Sequence, residues 1–132
     1  MKLTKAYAFG KTVELSYAEA ERKVREELQK EGFGVLTEID VKHKFKEKLG
    51  KEFRDYIILG ACNPALAYEA FKREIDIGTL LPCNVTVYTG DDGKTVVMVM
   101  DPVATLSVIG NTELTGLATT VREKMERVLA AL

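Results

Sequence analysis

The sequence predicts an α+β fold: one two-layer domain over residues 1–132, related to the ferredoxin-like split βαβ arrangement. Its sheet is expected to be five-stranded, mostly antiparallel or mixed, with helices on one face. Three observations carry this reading. Segments of alternating polarity are separated by segments of helical period, in the order βαβ(α)βαββα. A turn at Gly90-Asp91-Asp92-Gly93 joins two apolar runs into a hairpin. A composition of 46 % hydrophobic and 30 % charged residues over 132 positions supports a core without disulfide staples.

Residues 4–15 read as the first strand region, with Tyr7 and Phe9 on one face, Val13 and Leu15 on one face, and Gly10-Lys11 as an interruption. Ser16 and Glu19 form a capping box for the first helix, whose buried stripe is Ala20, Val24 and Leu28, and Gly32 ends it. Phe33, Val35, Ile39 and Val41 share a parity and predict a second strand with one core face. Val41, Phe45 and Leu49 then switch to helical spacing until Gly50. The run Phe53 to Ala61 is compact and apolar, as expected of a central strand. Asn63 caps a helix with Pro64 in its first turn, where the missing proline N–H costs nothing. Residues 76–82 read as connection. Cys83, Val85 and Val87 form one face of the next strand, and Thr95 to Met100 returns as its hairpin partner. Asp101-Pro102 ends it, and residues 103–110 fit either a short strand or an ordered loop. Leu114, Leu117, Ala118, Val121, Met125, Val128, Leu129 and Leu132 give the last helix a broad stripe that predicts packing on the sheet.

Lysine and arginine total 19 against 20 aspartate and glutamate, so no basic excess is available to hold a nucleic-acid backbone. Residues 42–54 are locally basic, with six basic residues against Glu47 and Glu52, and read as the solvated face of a short helix. No apolar run is long enough to span a bilayer, and the first ten residues hold no signal-peptide core. A cytoplasmic protein with two free thiols is therefore expected, with neither membrane nor nucleic acid as partner.

The residues with chemistry cluster at element ends. Cys62-Asn63-Pro64 stands at a strand-to-helix junction and Pro82-Cys83-Asn84 at the start of a strand. Helix N-terminal amides stabilise an anion or a thiolate, so Cys62 is the candidate nucleophile and a lowered pKa is the expectation there. Asp101, at a strand end before proline, is placed to fix a loop or to accept a proton from a ligand. If the helix between the cysteines makes their strands parallel, Cys62 and Cys83 stand at opposite ends of the sheet. A strand of six residues spans roughly 20 Å, while a disulfide needs Cα atoms within about 7 Å. His43 lies between Lys42 and Lys44 and reads as a surface residue. No metal site is expected, because neither a Cys-x-x-Cys nor a His-x-x-x-His spacing occurs. The glycines form no phosphate loop, and Ser107 lacks a nucleophile elbow.

Ile58-Leu59-Gly60-Ala61-Cys62-Asn63-Pro64, followed by Gly78-Thr79-Leu80-Leu81-Pro82-Cys83-Asn84-Val85, resembles the domain of unknown function 302 family. Gly34 to Val41, Phe45 to Gly50 and Asp101-Pro102 resemble it too, so the likeness covers nearly the whole chain. The resemblance implies a small α/β domain with a mixed or antiparallel sheet, assembled as a homodimer. It carries the motif onto Cys62, Asn63, Pro64, Pro82, Cys83, Asn84, Asp101 and Pro102, without a catalytic role for any of them.

Three functional readings follow. The first is a cytoplasmic homodimeric domain that binds a small ligand near the Cys62-Asn63 helix start. Cys62, Asn63, Cys83, Asn84 and Asp101 are its candidate binding residues, and the helix amides would favour an anionic part. The second is thiol-based or redox enzyme chemistry, with Cys62 as nucleophile and Cys83 as resolving group. The third is a structural or interaction domain in which both Cys-Asn pairs only stabilise turns. The residues specify no cofactor.

Overall fold

The computed structural model describes residues 2–132. Six strands, β1 (Lys2–Thr4), β2 (Ala8–Val13), β3 (Gly34–Asp40), β4 (Tyr56–Cys62), β5 (Cys83–Thr89) and β6 (Thr95–Met100), form one sheet in the order β1-β2-β6-β5-β4-β3. Every neighbouring pair is antiparallel. The helices are α1 (Tyr17–Lys30), α2 (Val41–Leu49), α3 (Pro64–Arg73), α4 (Pro102–Leu106) and α5 (Thr115–Ala130). This is the expected α+β class, with one strand more than the five predicted.

The extra strand arises because the first strand region breaks. Residues 5–7 turn back, closed by a 2.7 Å hydrogen bond from the Lys5 N–H to the Ala8 carbonyl, and β1 pairs with β2 as a hairpin. Gly10 is not an interruption. It stays in register between Leu3 and Met98, and a Cβ there would clash with the Val97 carbonyl and lie 2.7 Å from Met98 Sδ. Glycine is required because the neighbouring strand and side chain approach too closely for anything larger.

The capping box of α1 forms in both directions, each bond 3.2 Å long. Ala20, Val24 and Leu28 are fully buried. They meet Ile57 and Leu59 of β4, Val85 and Val87 of β5, Val97 and Val99 of β6, and Met125, Val128 and Leu129 of α5. The odd-numbered positions of the central strands therefore form the core layer, and α1 and α5 cover it. Burial of these large side chains contributes about 1.5–3 kcal/mol each.

The second strand departs from its expected face. Val35 pairs with Ala61 and Thr37 with Gly60, so Leu36 is an extra residue in a β-bulge. The bulge reverses the parity that the spacing of Phe33, Val35 and Ile39 suggested. Phe33 is buried in the core, whereas Ile39 is 47 % exposed on the opposite face. Glu38 now stands on the helix side, where it bonds Arg25 of α1.

The connection between β4 and β5 leaves and re-enters the sheet at one end, which makes these strands antiparallel. It comprises α3 and a 3₁₀ helix, Ile75–Leu80, where connection without regular structure was expected. Residues 102–114 are likewise helical: α4 followed by two short 3₁₀ helices, Ser107–Ile109 and Thr112–Leu114. Ala70, Ile77, Leu106, Leu114 and Ala118 gather there into a second, smaller core beyond the sheet end.

α2 buries none of its residues. It sits at the corner of β3 and β4, where Phe45 meets Phe53 edge-on at 5.0 Å and Tyr56 stacks on Tyr88 at 5.1 Å. Its basic side chains find local acids: Lys42 bonds Asp55, Lys46 bonds Glu52, and His43 Nε2 lies 3.1 Å from Glu47. No helix among the described residues is long and apolar enough to cross a membrane.

Candidate functional site

The site begins with the register of β4 and β5. Ala61 stands opposite Cys83, so Cys62 and Cys83 lie at the same end of the sheet on adjacent strands. The parallel arrangement that would have separated them does not occur. Both cysteines are free. Gly60 leaves room for side chains from both neighbouring strands: a Cβ there would meet Oγ1 of Thr37, its partner on β3, and would lie 2.7 Å from Cγ of Pro82, just before β5.

Asn63 then redirects the chain. Its Oδ1 accepts the Leu66 N–H at 3.3 Å, and its Nδ2 donates to the Glu31 carbonyl at the end of α1. One carboxamide thus caps α3 and ties it to α1. Both its donor and its acceptor functions are engaged by main chain.

Between the sheet end, α3, the 3₁₀ helix and the first half of α5 lies a pocket of about 310 Å³. Cys62, Asn63 and Cys83 line one wall. Leu66, Ala67 and Phe71 of α3 line another, and Leu117 and Val121 of α5 close it. No charged side chain lines it; beyond the two thiols, only Thr37 and Asn63 are polar. The alanines at 67 and 70 keep α3 thin on this side and leave the space open.

Burial pushes both thiols up: Cys62 above its ordinary value, and Cys83 to about 11, with the nearby Cys62 a lesser cause. This is opposite to the lowering expected at a helix start. Cys62 precedes the cap residue, Pro64 has no N–H, and the Leu66 N–H is already held by Asn63. A nucleophilic cysteine needs a stabilised thiolate; these two stay protonated at neutral pH.

Asn84 and Asp101 lie elsewhere. Asn84 is exposed on β5 opposite Gly60. Asp101 is 8 % exposed and caps α4, its Oδ1 accepting the N–H groups of Val103 and Ala104 at 3.0 and 3.4 Å. Its Oδ2 accepts from Arg122 Nη1 at 2.7 Å. That guanidinium also bonds Glu126 at 2.8 Å and lies 5.1 Å from the centre of the Phe9 ring. Asp101 therefore fixes the loop after β6 and docks α5, as an aspartate before proline can. The open groove beside it, about 710 Å³, is larger than the cysteine pocket. Of its charged residues, Asp101 and Glu126 pair with Arg122, and Arg127 pairs with Glu31 outside the groove.

The sequence reading expected both wall helices, α3 and α5, but not the 3₁₀ helix Ile75–Leu80, nor that these elements converge over the Cys62-Asn63 junction. The available signal was the width of the α5 stripe: Val121 packs on the sheet core, and Leu117 extends the stripe to the second, smaller core. Among the described residues, no three His, Cys, Asp or Glu side chains converge as metal ligands.

A family model for the domain of unknown function DUF302 matches residues 9–132. The chain belongs to the DUF302 family. It is similar to the crystal structure of an uncharacterised conserved DUF302 protein from Bacillus stearothermophilus, with 27 % identity and a TM-score of 0.88 over 94 % of this chain and 96 % of that one. No functionally curated protein matches the chain. The antiparallel α+β architecture is thus that of the DUF302 fold, and membership establishes no molecular function.

Proposed function

We propose that this DUF302 domain is a cytoplasmic binding module for a small, uncharged and predominantly apolar molecule, held in the pocket at the Cys62-Asn63 junction. The observation that carries the reading is the pocket's wall: about 310 Å³ of space without one charged side chain. That size is at the lower end for small-molecule sites, about 300–1,000 Å³, and suits two or three rings or a short acyl chain. An anionic group would lose its hydration against this wall without gaining a partner, since the Asn63 carboxamide is already engaged. The protonated thiols serve as polarisable contacts, which favours ring or thioether character in the ligand.

Fluorescence titration with neutral N-phenyl-1-naphthylamine, beside its anionic relative 1-anilinonaphthalene-8-sulfonate, tests the reading. Saturable binding of the neutral probe is expected, with the sulfonate weaker. Ala67→Phe, which fills the pocket from α3, should weaken the neutral probe at least about tenfold while leaving the melting temperature unchanged or higher. No saturable binding, or equal binding by the variant, overturns the pocket as the site. A tighter sulfonate would show that the start of α3 reads charge.

A further inference from the structure

Three features of the strands beside the pocket converge on one side chain. The first is the register of β3. Val35 stands opposite Ala61, so regular pairing would put Leu36 opposite Gly60; the bulge puts Thr37 there instead. The extra residue thus exchanges a leucine for a hydroxyl at that position, and bulges commonly re-aim a side chain in this way beside functional sites. The second feature is the glycine. A Cβ on Gly60 would collide with Thr37 Oγ1, so the hydroxyl oxygen takes the space that a side chain on β4 would fill, with Cγ of Pro82 on its flank. Glycine inside a strand weakens it and marks a close approach. The third feature is a shortage of polar partners. Thr37, Asn63 and the two cysteines are the only polar side chains on the pocket wall. Asn63 is engaged through both ends of its carboxamide, and thiols are weak hydrogen-bonding groups. The Thr37 hydroxyl has no hydrogen-bond partner among the described residues.

We infer that Thr37 is the polar anchor of the pocket, and that the ligand is a neutral molecule with an apolar body and one carbonyl or hydroxyl oxygen that hydrogen-bonds the Thr37 hydroxyl. The inference rests on the pocket being a binding site and names the ligand class it selects. A hydroxyl donates to a carbonyl and either donates to or accepts from an alcohol. A pure hydrocarbon in the pocket would strip water from the hydroxyl and return nothing, a cost that falls on the complex. A ligand with a second polar group would bury that group unpaired, because the remaining side chains of the wall offer no free partner. Threonine is branched at Cβ and stiff about its first side-chain bond. Seated over Gly60 and against Pro82, its oxygen is held in place before a ligand arrives, which lowers the ordering cost of binding. Sites that hydrogen-bond a ligand reject the analogue lacking the group more strongly than apolar contacts reject a change of size.

Displacement of N-phenyl-1-naphthylamine by two matched competitors provides the test. 2-Acetylnaphthalene and 2-isopropenylnaphthalene share one shape and differ only in carrying C=O or C=CH2. Thr37→Val removes the hydroxyl at nearly constant volume and keeps the branched side chain that a strand accepts. It should weaken the ketone about three- to tenfold, the scale of one hydrogen bond, and leave the hydrocarbon within about twofold or tighter. Thr37→Ser returns the hydroxyl and should recover most of the ketone's affinity. On the wild type itself, difference infrared spectroscopy with a carbonyl-labelled ketone gives a readout that does not depend on any variant folding. The carbonyl stretch of the bound ketone should lie below its position in hexane, as hydrogen bonding requires. A ketone indifferent to Thr37→Val, a loss shared equally by both competitors, or a carbonyl stretch at its hexane position overturns the anchor while the pocket stands. A wild type that binds neither the probe nor either competitor overturns the pocket and the anchor together.

Discussion

Raising the pH should unfold this protein partly through one thiol. Cys83 is buried and its pKa is pushed from an ordinary 9.0 to about 11 by desolvation. The folded state therefore binds the thiol proton more tightly than the unfolded state. Below pH 9 both states hold the proton, and the group's contribution to stability is fully present. Between about pH 9 and pH 11 the unfolded chain ionises and the folded chain does not, so stability falls as pH rises. Each unit is worth about 1.36 kcal/mol, and the difference of 2 units between 9.0 and about 11 gives a loss of about 2.7 kcal/mol. Tyr17, pushed to about 12, and Tyr88, also raised, act in the same direction, so the wild-type curve alone is not diagnostic. The difference between wild type and Cys83→Ala is. Urea unfolding of both proteins at half-unit intervals from pH 8 to pH 11 should show the wild type losing its advantage by about that amount. Parallel curves would refute the argument, because they would mean that Cys83 ionises equally easily in both states.

Other perturbations have outcomes set by the same geometry. Iodoacetamide at neutral pH should modify Cys62 more slowly than a free thiol and Cys83 only on unfolding, as peptide mass mapping would show; rapid labelling of either would restore the thiolate reading. Asp101→Ala removes the α4 cap and the Arg122 pair together and should cost about 1–3 kcal/mol in urea unfolding, the ion-pair share being reduced by the exposure of Arg122. A double-mutant cycle with Arg122→Met should give a coupling of no more than about 1 kcal/mol. Gly60→Ala drives a methyl group into Thr37 and Pro82 and should destabilise by about 1–3 kcal/mol, with Thr37→Ala restoring part of the loss.

The local grammar of the chain was largely legible. Ser16 and Glu19 announced α1, Asn63-Pro64 announced α3, and the parity of Cys83, Val85 and Val87 matched the buried face of β5. What periodicity could not show was how elements face one another. A bulge such as that at Leu36 adds one residue and transfers Ile39 to the other face, and spacing alone carries no sign of it. The antiparallel return from β4 to β5 was hidden because a helix between two strands reads as a crossover. Here α3 packs beyond the sheet end instead of across its face. The Cys62-Asn63 junction was visible as a candidate, but its pocket is closed by α5, more than 50 residues away in sequence. Asn84 and Asp101 share the motif and not the place.

The bulge in β3 has a further consequence for the behaviour of the protein at high concentration. A regular outermost strand offers a ladder of free N–H and C=O groups on which another chain can template. In β3 that ladder is broken at Leu36, and the helix-side positions beyond it carry Glu38 and Asp40. At the far margin, β1 is only three residues long and begins with Lys2. Both margins thus offer only a short or interrupted ladder for lateral extension by a second chain.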